Sequence, residues 1–387
     1  MIEIDGSQKS GSGTIVRYAL TLASILNKDL RIYNIRSGRK KPGLEPQHLK
    51  TVEAFKALTG AQVEGACLNS KEIIFRIKDN LIKSGTFSWD IGTAGSTTMM
   101  GLAILPLGFF AGAPSTYRIS GGLFQDFAPN AFHAKYVFMQ VLKKFSLDTD
   151  IDIIKPGYVP RGGGIIKITV KPVAEKIIPA QLLKQGKVMK IEGVSLSSNL
   201  SDRHVSERMA SECNKILKAR GLNADIRIIN DTKAIQKGAA LTIWAKTDSG
   251  CIIGSDVAGK IRRTAEAIGE NVAKNLLEDL DSGATVDRFA ADQIIIYAAL
   301  ADGESEYVIP RMTEHIESNL WLIQDILGTE VFIEGNNLKI KGAGLKVIRK
   351  WSPPRRGGFL GGPKGGILKR PQFIRPAFGG AVLGRGV

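Results

Sequence analysis

The residue with the clearest chemical potential is His315, one of four histidines in the chain. It lies in the segment TEHIESNLW, where Thr313 is a good N-cap and an apolar helix face follows. This pattern predicts that the imidazole lies in the first turn of a helix, near backbone N–H groups that lack helical partners. That environment lowers the pKa of a histidine and keeps it neutral, as a nucleophile must be. A surface histidine without a chemical role is the alternative.

The other histidines have weaker claims. His48 opens a predicted helix in PGLEPQHLK and could approach an anion there. His133 follows a helix start in AFHAKYVF, and we expect it to be structural. His204 lies among charged residues on a predicted helix that Ser201 caps, and we expect it to face solvent.

Basic residues form a second group of candidates. Arg36 and Arg39 lie in IRSGRKKPG, directly after a predicted strand, and Arg17 lies on the first predicted helix. Arginines at strand ends beside helix N-termini suit a phosphate clamp, although a solvated loop is the alternative. The preceding turn GSQKSGSG is rich in glycine, but it lacks the G-K-[ST] ending of a P-loop and is a weak signal.

The segment VDRFAADQ combines an aromatic ring with a carboxylate and an amide. Phe289 could stack on a base, and Asp292 and Gln293 could bond its edge, which are the contacts that adenine recognition requires. Without other evidence, the segment indicates only the start of a helix.

The elements that must position these residues follow a recurring pattern. Apolar periodicity predicts the order βαβαββ over 2–77, again from 87 to 170, and a third time from 284 to 341. Each copy opens with a short predicted strand that ends in an aspartate, namely Asp5, Asp90 and Asp287. Chance similarity of α/β punctuation is the alternative. We predict an α/β (α+β) fold in which residues 1–180 and 284–342 form one large repeated domain.

Two further segments differ from this pattern. Residues 181–283 predict a small inserted βαββα domain of thioredoxin-like type. Residues 343–387 form a basic tail rich in glycine and proline. The last 49 residues carry twelve of the basic residues and no acid, out of a net charge of +16. Arginine, glycine and phenylalanine interleaved in this way suit an RNA-binding arm, and a solubilising tail is the alternative.

Composition excludes several classes of protein. The chain has 387 residues, of which 43% are hydrophobic, which is too many for a disordered protein. Its longest apolar stretch is interrupted by glycine and proline, so we expect no membrane span. Three distant cysteines form neither a disulfide framework nor a zinc site. The acidic start MIEIDGSQ is unlike a signal peptide, and we expect a cytoplasmic protein.

Several motifs together resemble the RNA 3′-terminal phosphate cyclase family. They occur in order as IEIDGSQ, RSGRKKPGLEPQHL, WDIGTAGST, YVPRGGG, FAADQ and TEHIESNLW, and they span the chain from residue 1 to about 342. The resemblance implies three βαβαββ units with an inserted small domain. It also implies that ATP adenylylates the histidine of an H-x-x-[ST]-N helix, here His315. The AMP then passes to the 3′-terminal phosphate of an RNA, which closes to a 2′,3′-cyclic phosphate.

The resemblance also assigns residues to the site. Arg17, Arg36, Arg39 and Gln47 are implied to line the phosphate and RNA site. The adenosine is implied to lie near Pro129 and the stretch formed by Phe289, Ala290, Ala291, Asp292 and Gln293. A divalent metal, Mg²⁺ or Mn²⁺, is implied as well, but Ser10 replaces the glutamate that usually helps to hold it, and Leu102 replaces a frequent glutamine.

Two other functions compete with this interpretation. A non-catalytic relative would bind RNA in ribosome assembly or rRNA processing, but such relatives lack the nucleophilic histidine. An enolpyruvyl transferase shares a related repeated architecture and would bind a small anionic acid instead of RNA. The oligomeric state stays open, with a homodimer among the alternatives.

Overall fold

The structure is a computed structural model that describes residues 1–78, 81–126 and 128–347. In these residues the strands form four sheets of four strands each, and helices pack against them. The predicted α/β class is confirmed. The part of the predicted tail beyond residue 347 lies outside the described residues.

The first sheet comes from the N-terminal part of the chain. Its strand order is β1-β2-β4-β3, with β1 parallel to β2 and the other neighbours antiparallel. The elements in chain order are β1 (Ile2–Asp5), α1 (Gly13–Leu26), β2 (Leu30–Tyr33), α2 (Pro46–Thr59), β3 (Gln62–Glu64) and β4 (Ile73–Arg76). The sequence predicts all six elements within a few residues of these bounds.

The second sheet has the same pairing pattern in the order β5-β6-β8-β7. Its elements are β5 (Thr86–Asp90), α3 (Thr97–Phe110), β6 (Ser115–Gly121), α4 (Ala131–His133), α5 (Met139–Leu142), β7 (Thr149–Lys155) and β8 (Gly164–Val170). A π-helical turn, Ala134–Phe138, joins α4 to α5. Every residue of α3 is buried, so this helix lies at the centre of the core.

The third sheet has the order β15-β16-β14-β9. Its elements are β9 (Gln181–Leu182), α8 (Ala290–Gln293), α9 (Ile295–Leu300), β14 (Glu304–Val308), α10 (Glu314–Leu327), β15 (Glu330–Glu334) and β16 (Asn337–Lys341). Strand β14 pairs in parallel with β9, and β9 lies more than 100 residues before α8 in the chain.

The predicted opening strand of this third copy is wrong. Residues 284–287 form no strand, because the side chain of Thr285 replaces part of the backbone ladder. The Thr285 N–H donates to the Val308 carbonyl at 2.9 Å, and the Thr285 hydroxyl accepts from the Val308 N–H at 2.8 Å. Asp287 is instead a fully buried residue before α8.

The fourth sheet has the order β11-β10-β12-β13 and a smaller hydrophobic core of its own. Its elements are β10 (Val188–Ser198), α6 (Val205–Lys218), β11 (Ala224–Asp231), β12 (Gly238–Thr247), β13 (Ile252–Ala258) and α7 (Ala265–Asp281). The prediction that Ser201 caps α6 is wrong. Ser201 begins a short 3-10 turn, and His204 then adopts a left-handed conformation (φ 49°) that starts the helix at Val205.

Helix packing brings distant parts of the chain together around α1. This helix packs against α2, α3 and α10. The side chain of Ser12 caps α1, that of Ser96 caps α3 and that of Thr313 caps α10. No helix in the described ranges is both long enough and apolar enough to cross a membrane.

Candidate active site

A cleft of about 510 Å³ collects side chains from seven separate segments. These include the starts of α1, α2 and α10, the loop after β2, and the segments before α3, α4 and α8. Nine of the residues predicted for the site line it: Arg17, Arg36, Arg39, Gln47, Pro129, Phe289, Asp292, Gln293 and His315. The other two, Ala290 and Ala291, are buried in α8 and do not line the cleft.

His315 is the second residue of α10, as the sequence predicts. The Thr313 hydroxyl accepts a hydrogen bond of 3.2 Å from the Ile316 N–H and caps the helix. The residue is exposed, so a reagent in the cleft can reach its ring. Its pKa is lowered from the ordinary value of 6.5, first by desolvation and then by the charges of Arg17 and Arg39. The imidazole is therefore neutral at physiological pH and able to act as a nucleophile.

Helix α10 also holds the glycine-rich turn before α1. The Ser318 hydroxyl donates to the Ser10 hydroxyl at 2.8 Å, and the Ser10 N–H donates to the Ser318 hydroxyl at 3.1 Å. The Thr14 hydroxyl donates to the Asn319 side-chain carbonyl at 3.2 Å. Ser318 and Asn319, one helical turn after His315, thus hold the glycine-rich segment and the start of α1 beside the histidine.

The same asparagine reaches the segment before α9. Its side-chain amide donates to the backbone carbonyl of Asp292 at 3.0 Å, and the Tyr18 hydroxyl donates to that carbonyl at 2.5 Å. Burial raises the pKa of the Asp292 carboxyl to about 6, against the effects of a hydrogen bond from Gln293 and of the charge on Arg17. The pKa of the Asp292 carboxyl thus lies above its ordinary value, and the backbone of this residue is held in place by two donors.

Five arginines line the cleft, and three of them are the ones that the sequence predicts for it, namely Arg17, Arg36 and Arg39. Burial lowers the pKa of Arg17 to about 10, so this arginine stays charged at neutral pH. Arg36 is only 8% exposed, and it donates to the Gly43 carbonyl at 2.8 Å and pairs with Glu45 at 3.3 Å. Arg39 is exposed and donates to the Ser10 carbonyl at 3.2 Å. The buried guanidinium of Arg36 and the exposed guanidinium of Arg39 line the same cleft, an arrangement that suits the binding of a phosphate chain.

Gln47 supports the turn before α3. Its side-chain carbonyl accepts a hydrogen bond of 2.8 Å from the Ser96 N–H. Ser96 is the residue that caps α3, so Gln47 fixes the start of that helix against α2. The interaction leaves the amide nitrogen of Gln47 with hydrogen atoms to donate in the cleft.

Apolar side chains also line the cleft, in addition to its arginines. Phe289 and Pro129 both line the cleft, and their role in binding a base stays a prediction. The Phe289 ring meets the ring of His133 edge to face, with centroids 5.5 Å apart. His133 is fully buried and pairs with Asp287 at 3.1 Å, so its predicted structural role fits its surroundings.

Comparison with known proteins decides the family. The family model described as RNA 3′-terminal phosphate cyclase matches residues 8–333, which is most of the chain. The chain belongs to the RNA 3′-terminal phosphate cyclase family. The protein of that name from Archaeoglobus fulgidus is 37% identical over 341 residues, covering 88% of this chain and 100% of the relative. The corresponding protein of Pyrobaculum aerophilum is 36% identical, covering 84% of this chain and 92% of its own.

A solved structure shows a much weaker likeness. EPSP synthase from Acinetobacter baumannii aligns with 86% of this chain at 14% sequence identity and a TM-score of 0.29. The alignment covers 64% of the EPSP synthase chain, which is less than two thirds of its length. A likeness of this size supports no argument about function.

The cyclase-family cleft contains residues that sequence reasoning missed. Arg311, Arg288 and Asp126 line it, and of these Arg311 and Asp126 belong to none of the motifs described above. Arg288 could have been found, because it lies within VDRFAADQ, but Asp279 already holds it at 2.8 Å. His48 lines the cleft too, and burial, then Arg17 and Arg36, lower its pKa to about 3.

Close packing explains why residue 13, at the start of α1, is a glycine. A Cβ added at Gly13 would lie 2.1 Å from Nε2 of His48. Only glycine leaves room for the imidazole at the start of α1. His48 thus packs against the start of α1, and its lowered pKa keeps the imidazole neutral. A neutral imidazole carries no positive charge with which to attract an anion.

The described residues include no cluster of side chains that would form a metal site. The ranges that the structure describes contain no cluster of three or more histidine, cysteine, aspartate or glutamate residues suited to a metal ion. The Ser10 hydroxyl, at the position of the family glutamate, is engaged by Ser12 at 2.9 Å and by Ser318. Ser10 therefore supplies no carboxylate to a divalent metal at this turn.

Proposed function

We propose that this protein converts the 3′-terminal phosphate of an RNA to a 2′,3′-cyclic phosphate, using ATP and a covalent adenylate on His315. The observation that supports this most strongly is the position of His315. A neutral, accessible imidazole lines the same cleft as Arg17, Arg36 and Arg39. A histidine nucleophile facing guanidinium groups suits attack on a phosphate and disfavours the non-catalytic alternative.

In the first step, an imidazole nitrogen of His315 attacks the α-phosphorus of ATP. The bond from that phosphorus to the bridging oxygen breaks, and pyrophosphate leaves. Negative charge gathers on the phosphate oxygens, and Arg17 and Arg39 are placed to stabilise it because both lie near the histidine. The imidazole must be neutral at the start of this step, and its lowered pKa keeps it so.

In the second step, an oxygen of the RNA 3′-phosphate attacks the adenylyl phosphorus, and the bond between nitrogen and phosphorus breaks. The RNA then carries an activated phosphate, and the histidine is free again. In the third step, the neighbouring 2′-hydroxyl attacks the 3′-phosphorus and loses its proton, and AMP leaves with the bridging oxygen. Covalent catalysis of this type divides one difficult displacement into easier ones.

The adenosine would lie between Phe289 and Pro129. The ring of Phe289 offers a stacking surface, and Asp292 and Gln293 offer a carboxylate and an amide to the base or ribose. Ala290 and Ala291 are fully buried, so we assign them a packing role under this surface. Mg²⁺ or Mn²⁺ would arrive as the complex with the ATP phosphates, to which such ions bind with few protein ligands.

We also propose that the three similar sheets are copies of one βαβαββ unit. The shared strand order and pairing senses support this interpretation. The domain division near residues 180 and 284 remains a proposal, with the fourth sheet as the inserted domain and β9 belonging to the large one. We further propose a cytoplasmic location, while a homodimer is one alternative for an oligomeric state that stays open.

The reaction itself gives the test. The full chain is incubated with ATP, Mg²⁺ or Mn²⁺, and an RNA that carries a labelled 3′-phosphate. We expect the label to become resistant to phosphatase, and we expect the His315→Ala variant to lose this activity. His204→Ala, which changes an exposed histidine outside the cleft, is the control. An unmodified RNA with the wild-type protein and either metal contradicts the proposed function.

A further inference from the structure

A second cleft, of about 410 Å³, lies between the segment that leads into α6 and the segments before α7. Six basic side chains line it, and no aspartate or glutamate occurs among its described lining residues. We call it the basic groove and define it by Arg203, Arg208, Lys237, Lys260, Arg262 and Arg263. None of the functional motifs of the sequence includes these residues.

Half of these cations have no carboxylate partner among the residues that the structure describes. Arg208 pairs with Glu266 at 2.7 Å, while Arg263 and Lys260 pair with Asp126 at 2.7 and 3.5 Å. Within the described ranges, Arg203, Lys237 and Arg262 form no ion pair. Uncompensated like charges repel one another, and a polyanion in the groove would relieve that repulsion.

The groove also presents an apolar side chain to solvent. Ile261 is 89% exposed, although its sequence neighbours Lys260 and Arg262 are the long polar residues expected at a loop tip. Phosphate-binding cations on both sides of an exposed apolar group match the chemistry of a single-stranded nucleic acid, whose backbone is charged and whose bases are apolar on their faces.

A shared wall joins the groove to the cleft of His315. Arg263 lines the groove, and its guanidinium donates two hydrogen bonds, of 2.7 and 3.0 Å, to the carboxylate of Asp126. Asp126 lines the active cleft. Burial acts to raise the pKa of Asp126, but Arg263 and Lys260 outweigh it and lower the pKa. The salt bridge between Arg263 and Asp126 therefore connects a residue of the groove to a residue of the active cleft.

A third cleft in the described part lacks these properties. It has a volume of about 620 Å³ and is lined by Lys135, Arg227 and Lys233, but Asp152 and Asp231 line it as well. Lys135 pairs with Asp152 at 3.5 Å. Its positive charges are thus partly balanced by carboxylates that line the same cleft.

We propose that the basic groove binds the nucleotides that precede the terminal phosphate of a single-stranded RNA. This inference rests on the proposed function, since it takes the RNA end to lie at His315. The fourth sheet and its helices then contribute directly to substrate binding, through residues on both sides of the groove. Short RNAs that end before the groove would bind without its help.

The test compares two triple variants of the full chain that lose the same charge. One is Arg203→Gln/Lys237→Gln/Arg262→Gln in the groove. The control is Lys56→Gln/Lys144→Gln/Lys218→Gln, which removes exposed lysines outside both clefts. Binding of 3′-phosphorylated RNAs of roughly twelve and roughly three nucleotides is measured by fluorescence anisotropy between about 50 and 200 mM salt.

We expect the groove variant to bind the longer RNA more weakly and with a smaller salt dependence. The slope of log affinity against log salt falls by about 2, since each lost phosphate contact on a single strand removes about 0.7. Binding of the shorter RNA stays unchanged, as does binding of both RNAs by the control. Equal losses in both variants, equal losses for both RNAs, or no loss at all would overturn the proposal.

A separate measurement keeps this result distinct from the proposed function. Transfer of labelled AMP from ATP to the protein requires no RNA, so the groove variant should be labelled as fast as wild type. Normal labelling with unchanged binding of the longer RNA refutes the groove and leaves the proposed function intact. Absent labelling in the wild type refutes the proposed function, while the binding comparison still tests the groove.

Discussion

The side-chain amide of Asn319 donates a hydrogen bond of 3.0 Å to the backbone carbonyl of Asp292. The asparagine lies one turn after His315 on α10, and Asp292 lies in the stretch assigned to the adenosine. This single bond therefore ties the proposed nucleophile to the proposed nucleotide site. Because Asn319 is fully buried, water cannot replace the hydrogen bonds that its partners lose when its side chain is removed.

We predict that Asn319→Ala weakens both stability and ATP use. Loss of the amide leaves the carbonyl of Asp292 with the Tyr18 hydroxyl as its donor and frees the Thr14 hydroxyl. The free energy of unfolding should fall by about 1–3 kcal/mol, measured with urea. The KM for ATP should rise in the adenylylation reaction. Asn336→Ala, which breaks an exposed bond to the Pro310 carbonyl, should change neither quantity appreciably.

The acid limb of adenylylation should depend on Arg39. Desolvation and the cations Arg17 and Arg39 lower the pKa of His315, so the histidine remains neutral at pH values somewhat below 6.5. Replacing Arg39 with glutamine removes one repelling charge, and the pKa should rise. The midpoint of the rate against pH then moves to higher pH, whatever happens to the maximal rate. An unchanged midpoint in Arg39→Gln, with Lys56→Gln as control, would show that Arg39 does not act on the imidazole.

The buried pair of His133 and Asp287 should make stability depend on pH. Burial acts to lower the pKa of His133, but the charge of Asp287 outweighs it, and the pKa is raised above 6.5. The protonated histidine therefore stabilises the fold most fully below pH 6.5, and this contribution is lost as the pH rises through the raised pKa. His133→Gln should remove that dependence and cost about 3–5 kcal/mol near pH 6.

Urea unfolding at several pH values measures this effect. The difference in the free energy of unfolding between wild type and His133→Gln should shrink as the pH increases from 6 upwards. His204→Gln, at an exposed position, serves as the control and should follow the wild type. A difference that is constant or grows with pH would mean that His133 is uncharged in the folded protein.

Local sequence signals predicted the parts of the fold that depend on local interactions. The cap of α10 by Thr313 is one example, since an N-cap and the helix it begins are neighbours in the chain. The opening strands that end in Asp5 and Asp90 are others, because in each of them apolar and polar residues alternate before a glycine-containing turn.

Apart from the local error at the start of α6, sequence reasoning failed where the chain depends on distant partners. Strand β9 has two residues, too few to show a period, and only its pairing with β14 reveals it. The bond from Arg263 to Asp126 joins residues 137 positions apart, and that from His133 to Asp287 spans 154. Neither pair leaves a pattern in the sequence, so the basic groove and the buried pair emerge only from the folded structure.

The most direct test of the account is the site of covalent labelling by ATP. The wild-type chain is incubated with ATP labelled at the α-phosphate, digested, and analysed by mass spectrometry. The account predicts AMP on the peptide that contains His315, no such adduct in His315→Ala, and loss of the adduct when RNA with a 3′-phosphate is added. Labelling that persists in His315→Ala, or that maps to another residue, would contradict it.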